Sequence, residues 1–180
     1  MEDIQIVERR RILDDLEVRG LCWPDPSLYF EDVKKGLPKG IEILQAPQGR
    51  VWQYNCFSFA LGLHVYPEFY KTSKDGYVYS PFVDKLFQEG RLVPFPVEKN
   101  PSTGHIVMYK FGGEFKHGGV VDKDKVISKW SGGPLLRHDI LDVPTRYGDE
   151  FLYFFPIPQE QIFDLYQQYK AFNFPPSPRV

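Results

Sequence analysis

The chain has 180 residues with a formal net charge of −2, 42% hydrophobic and 26% charged residues, the balance of one globular domain with enough apolar surface for a core. Its densest basic run, Arg9-Arg10-Arg11, is flanked by Glu8, Asp14, Asp15 and Glu17, so charge gives no case for nucleic acid, and no stretch approaches the length of a membrane span. Two cysteines, Cys22 and Cys56, are too few for a disulfide framework, and the acidic start Met1-Glu2-Asp3 lacks a signal-like apolar core; the cytoplasm is the expected compartment, with export by a specialised system as the alternative.

Ile4, Val7, Leu13 and Leu16 recur at near-helical spacing and predict a helix over residues 3–18, stopped by Gly20. From Trp23-Pro24-Asp25-Pro26 to about Arg50 the prolines and glycines predict an irregular arm, with a short strand around Ile41, Ile43 and Leu44. Residues 55–63 read as a short helix capped by Asn55, and 81–89 as another, with Ser80 as cap, Pro81 in the first turn and Gly90 at the end. Five short runs rich in β-branched and aromatic residues then predict strands: Leu92–Phe95, Ile106–Phe111, Gly118–Asp122, Val126–Trp130 and Phe151–Ile157. Lys123-Asp124-Lys125 reads as a hairpin turn; Gly112-Gly113 and Gly132-Gly133 also read as turns. Residues 158–172 return to helix, with Ile162, Phe163, Tyr166 and Tyr169 on one side, and the tail Pro175-Pro176-Ser177-Pro178 reads as disordered. The expected class is α+β with an antiparallel sheet of about five strands. Residues 1–174 form one domain: an N-terminal helix and arm (1–50), a core (51–157) and a C-terminal helix (158–174), followed by the tail 175–180.

Two segments carry residues suited to chemistry. In Gln53-Tyr54-Asn55-Cys56-Phe57-Ser58-Phe59-Ala60, Cys56 sits where a helix begins, and a thiol there is expected to have a lowered pKa. Alone, Cys56 reads more readily as a structural core cysteine than as a nucleophile. In Lys116-His117-Gly118-Gly119-Val120-Val121, a histidine opens a strand and the two glycines leave its ring room. A thiol and an imidazole are the usual pair for nucleophilic acyl transfer. His64 and Cys22 read as structural or surface residues. No metal-ligand spacing and no phosphate loop is present, so no metal and no cofactor is expected.

Taken in order, Tyr54-Asn55-Cys56, Gly104-His105-Ile106-Val107-Met108-Tyr109 and His117-Gly118-Gly119-Val120-Val121, with the return Lys125-Val126-Ile127-Ser128, resemble the papain-like cysteine hydrolases of the NlpC and CHAP groups. The match covers roughly residues 50–130, and Cys56 precedes His117, the unpermuted order of those families. The resemblance implies a papain-like fold and a cysteine peptidase or amidase acting on a peptide, muropeptide or isopeptide bond. Cys56 would be the nucleophile and His117 its base, with Gln53 and Tyr54 as candidate oxyanion donors. The third member would fall on the return strand. Ser128 is the first choice there, with His138 and Asp139 as alternatives; Lys129 cannot accept a bond while charged. The chain departs from the pattern at His105, where the families carry an acid. A papain-like fold without activity, binding a partner protein, is the competing expectation, and a plain interaction module a third.

Overall fold

A computed structural model describes residues 2–22, 26–47, 53–73, 76–96, 98–130 and 133–173. The expected α+β class holds. Helices α1 (Glu2–Cys22) and α2 (Pro26–Gly36) lead to strand β1 (Glu42–Gln45). Three short helices follow, α3 (Cys56–Ala60), α4 (Pro67–Thr72) and α5 (Ser80–Gln88), then β2 (Ile106–Phe111), β3 (Glu114–Asp122), β4 (Lys125–Lys129), β5 (Leu135–His138), β6 (Glu150–Phe154) and helix α6 (Gln159–Asn173). The strands form one six-stranded sheet in the order β1-β5-β4-β3-β2-β6, with every neighbouring pair antiparallel.

Both faces of this sheet are covered, and β2 shows how. Side chains alternate across a strand. Ile106 and Met108 join a cluster with Phe57, Ala60, Phe69, Phe82, Leu86, Ile162 and Tyr166 from α3 to α6. Val107 and Tyr109 join a second cluster with Leu13 and Leu16 of α1, and with Trp130, Leu136, Val143 and Tyr147. A strand apolar on both sides is what a two-sided core requires, and each fully buried aliphatic side chain contributes about 1.5–3 kcal/mol.

Helix α1 is also fastened by polar contacts along one side. Arg9 holds Asp142, Arg10 donates to the carbonyls of Val143 and Gly148 at 3.1 and 2.9 Å, Asp14 accepts from the Thr145 backbone and hydroxyl, and Glu17 pairs with Arg146. Two arginines of the basic run, Arg9 and Arg10, therefore help to seat residues 142–148, which carry Tyr147 to the site, while Arg11 pairs with Glu8 at the surface.

Several elements depart from the sequence expectations. Helix α1 continues past Gly20, a position that costs a helix only about 1 kcal/mol. The arm expected to be irregular contains α2. Pro26 opens it, where a missing N–H costs nothing, and the fully buried Val33 anchors it. Helix α4 likewise begins at a proline, Pro67, and buries Phe69. Tyr79, not Ser80, occupies the cap position of α5, while Pro81 does sit in its first turn. The run Leu92–Phe95 makes a single bridge, Pro94 to Phe154, because proline cannot extend a ladder. β5 was not foreseen and takes the place of the lost Leu92–Phe95 strand; the short strand expected near Ile43 joins the same sheet as β1 and makes six. Residues 123–124 make the hairpin turn, with Lys123 at φ 59°, and Gly112-Gly113 turn between β2 and β3. Gly132 and the tail 175–180 lie outside the described residues. Among the described residues no helix is long and apolar enough to cross a membrane.

Candidate functional site

Cys56 is the first residue of α3, and Asn55 fixes that start. Asn55 Oδ1 accepts from the Ser58 amide at 3.0 Å, and the single Ser58 hydroxyl proton is shared between Asn55 Oδ1 and the Gly76 carbonyl, each 2.8 Å away. It also accepts from the Val78 amide, while Nδ2 donates to the Val78 carbonyl at 2.7 Å. One side chain thus caps α3 and ties it to the segment before α5. The helix lies directly on β3 at Gly118, where a Cβ would stand 2.8 Å from the Met108 sulfur, 3.2 Å from Ala60 Cβ and 3.3 Å from the Phe57 ring. Glycine is required there for the approach of the helix, not to give His117 room.

The Cys56 sulfur sits among backbone N–H groups of Gly118, Phe57 and Cys56 itself. It is 8% exposed and forms part of the floor of a groove of about 300 Å³. Asn55, Tyr77, Tyr79, Phe115, Lys116, Arg146 and Tyr147 line the rest. The expected lowering of the thiol pKa is corrected by this setting. Burial pushes it up to about 11, and the amides and the Lys129 charge only partly oppose that. A helix of five residues has too little dipole to reverse the desolvation.

The structure does not join Cys56 to His117. His117 pairs with Tyr109 across the β2–β3 ladder, and that register puts its ring on the face of the second cluster, opposite Gly118 and α3. The imidazole is fully buried. It stacks on Tyr147 with centroids 4.1 Å apart and planes 4° from parallel, and it packs against Tyr109. Among the described residues neither ring nitrogen has a hydrogen-bond partner. Burial, and the charges of His138 and Arg146, hold its pKa well below the ordinary histidine range, so the ring is neutral. Tyr147 is the neighbour shared by the two residues: it stacks on His117, bonds to Glu17 and lines the groove with Cys56.

The candidates for a third member gather elsewhere. Ser128 Oγ lies 2.7 Å from His138 Nε2, and His138 Nδ1 lies 2.7 Å from the Asp139 carbonyl oxygen. Facing a carbonyl, Nδ1 must carry the proton, so Nε2 accepts from the Ser128 hydroxyl. Burial lowers the His138 pKa to about 4. Ser128 therefore orients His138 rather than His117, and the Asp139 carboxylate is exposed and paired with Lys125. The oxyanion candidates are not in the groove lining. Gln53 is exposed, and Tyr54 is a packing aromatic against His64 and Phe59. His64, which read as structural or at the surface, packs against Tyr54 and Phe59 with its Nδ1 at the Ser58 carbonyl. His105 packs between Phe95 and Phe155 and bonds to Ser102. Cys22 closes α1, and its side chain lies outside the described ones.

Lys129 is the residue that sequence reasoning passed over. Its position in the β4 ladder places it beside Gly118, on the face that carries α3. It is fully buried, its ammonium lies 5.2 Å from the Tyr54 ring centroid, and it donates to the Gly133 carbonyl at 2.5 Å. Burial lowers its pKa to about 7, against the pull of Cys56. The available signal was a lysine at the end of a strand covered on both faces, where a buried charge needs a reason. Tyr77, Tyr79, Arg146 and Tyr147 came from loops and short turns, which carry no periodicity to read.

A larger groove of about 590 Å³ lies between α5 and α6, lined by Phe82, Leu86, Arg91, Leu165, Tyr169 and Phe172 among others, away from Cys56. Compared with protein-family models, curated proteins and solved structures, the chain matches none.

Proposed function

We propose that this chain is a cysteine hydrolase on a papain-like framework, with Cys56 as the nucleophile toward an amide or ester carbonyl. The observation that carries the reading is the seat of Cys56: a thiol on the first residue of α3, lining an open groove, with backbone amides of Gly118 and Phe57 nearby that favour its charged form. Such amides stabilise negative charge where it develops, first on sulfur and then on the oxyanion of a tetrahedral intermediate. The chain order supports the framework, with a Cys-bearing helix followed by an antiparallel sheet and His117 on its third strand.

Attack by sulfur would form a thioester and release the amine or alcohol; water would then free the acid and restore the thiol. The test is to treat the protein with p-nitrophenyl acetate and a panel of peptide amides, following turnover and the mass of the Cys56 peptide. An acyl adduct on Cys56, with turnover lost in Cys56→Ser, supports the reading. Absence of any adduct on Cys56 rejects it.

The competing reading is a papain-like fold that has lost catalysis and binds a partner protein. His117, buried without a hydrogen bond to any described residue, and the raised thiol pKa are the observations in its favour.

A further inference from the structure

We propose that the groove holding Cys56 selects an acidic peptide segment, one that sets a carboxylate side chain beside an apolar one, and that Lys116 and Arg146 read the carboxylate. The binding stands on the groove itself; that the bound segment is also the substrate rests on the hydrolase reading.

Two irregularities of the backbone bring the cations together. In the β2–β3 ladder Tyr109 pairs with His117 but Lys110 pairs with Phe115, so Lys116 is an extra residue, a bulge in β3. Residues two apart share a face of a regular strand. Here Phe115 packs in the cluster on the α3 side while His117 stacks on Tyr147 on the other. Lys116, between them, is partly exposed and lines the groove with Phe115. The second irregularity lies beside the first. Gly148, at φ +103°, sits so close to the carbonyl of Lys110, the partner of Phe115, that no side chain would fit. That approach sets the turn Thr145–Tyr147 next to the bulged end of the sheet, and Arg146 and Tyr147 line the same groove as Lys116.

The lining is one-sided in charge. Among the described lining residues Lys116 and Arg146 carry the only full charges, and the acids that pair with them, Glu114 and Glu17, are not in the lining. Arg146 is held in place from behind. It donates to Glu17 of α1, whose side chain is 4% exposed and also bonds to Tyr147, and its guanidinium lies 5.6 Å from the centre of the Tyr147 ring. Its own side chain is 49% exposed, and a planar guanidinium has more N–H donors than one carboxylate engages, so it can take a second carboxylate from the groove side. The Lys116–Glu114 pair is exposed, and such a pair holds its members weakly enough to yield to a better placed anion. The remaining walls are aromatic: Phe57, Tyr77, Tyr79, Phe115 and Tyr147. They offer ring faces to an apolar side chain beside the carboxylate. A volume of about 300 Å³ is small for a ligand site and suits a stretch of extended chain.

The experiment uses the full chain as Cys56→Ala, so that nothing turns over. Three fluorescein-labelled hexapeptides serve as probes, one alternating phenylalanine with glutamate and two controls with glutamine or lysine in place of the glutamate. Binding is read by fluorescence anisotropy at low ionic strength. The glutamate peptide should bind about tenfold tighter than either control. Lys116→Gln should weaken it by about threefold and Arg146→Gln by about tenfold, with the glutamine peptide unaffected by either. If Arg146→Gln fails to fold because Glu17 loses its partner, Lys116→Gln and the double variant Glu17→Gln, Arg146→Gln carry the test. Equal binding of the three peptides overturns the proposal, as does a glutamate preference that survives removal of both cations. A single-stranded oligonucleotide that displaces the glutamate peptide at equal concentration also overturns it. Acylation of Cys56 by p-nitrophenyl acetate in a protein without the glutamate preference removes the specificity and leaves the nucleophile intact. A glutamate preference in a protein whose Cys56 takes no acyl group supports the groove and sinks the hydrolase reading.

Discussion

Asn55→Ala should loosen the mount of Cys56 by a calculable amount. Alanine removes the acceptor for the Ser58 and Val78 amides and the donor to the Val78 carbonyl, while the Ser58 hydroxyl keeps its bond to Gly76. Loss of a cap costs about 1 kcal/mol, and stranding buried polar groups about 1–3 kcal/mol more each, less where water enters. Val78 is 1% exposed, so little water can replace the lost partners there. A total near ~3 kcal/mol follows, and with a urea m-value of about 2 kcal/mol/M the unfolding midpoint should fall by roughly 1.5 M. The assay is urea unfolding followed by tryptophan fluorescence, with m checked for constancy. A loss under about 1 kcal/mol would refute the claim that this one side chain both caps α3 and clamps it to Val78. Asn55→Asp keeps the acceptor but turns a second oxygen toward the Val78 carbonyl, so its loss should be intermediate.

Gly148 has φ +103°, and a Cβ there would stand 1.9 Å from the Lys110 carbonyl oxygen, so Gly148→Ala must displace backbone. A cost of ~3 kcal/mol or more is expected, seen as a melting temperature lower by roughly 6 °C at least; a change within 2 °C on a thermal scan contradicts it. Acid should destabilise the fold through its buried imidazoles. The folded pKa of His138 is about 4 against an ordinary 6.5, so between those values the unfolded chain binds a proton that the native state refuses. Stability is therefore full above about pH 6.5 and falls as pH drops toward 4, by up to ~3 kcal/mol from His138, with His117 acting in the same direction. Urea unfolding that is flat from pH 7 to 4.5 would contradict this. At the alkaline end, Lys129 has a folded pKa of about 7 against 10.5, so the wild type should gain stability from pH 7 to 9 and Lys129→Met should not. Finally, the charged side chains lining the groove are Lys116 and Arg146, so iodoacetate should alkylate Cys56 several-fold faster relative to iodoacetamide than it does a free thiol. The double variant Lys116→Gln, Arg146→Gln should lose the preference; an unchanged ratio means the groove is electrostatically neutral.

The elements that a local pattern encodes were legible in the sequence. Ile106–Phe111 is β2 residue for residue, the helix at 158–172 is α6 to within a residue at each end, and Asn55 caps the helix that Cys56 opens. These follow from alternation, periodicity and capping, which act over a few neighbouring residues. Helices α2 and α4 were hidden because Pro26 and Pro67 read as breaks, although a proline at a first helical position is compatible with helix. β5 was hidden because four residues, Leu135 to His138, carry too little alternation to separate from a loop.

What the sequence determined by itself was the presence and order of a thiol on a helix start, an imidazole on a following strand and a hairpin after it. Which of those groups meet depends on the parity of the strand register, a property of pairing across the sheet that no local pattern contains. Gly118 faces α3, so His117 must face away, and Ser128 turns to His138 while Lys129 comes round to Tyr54 on the α3 side. The pKa values were likewise decided by tertiary burial. Desolvation acts through every layer packed over the thiol, the imidazoles and the amine, and those layers come from distant parts of the chain.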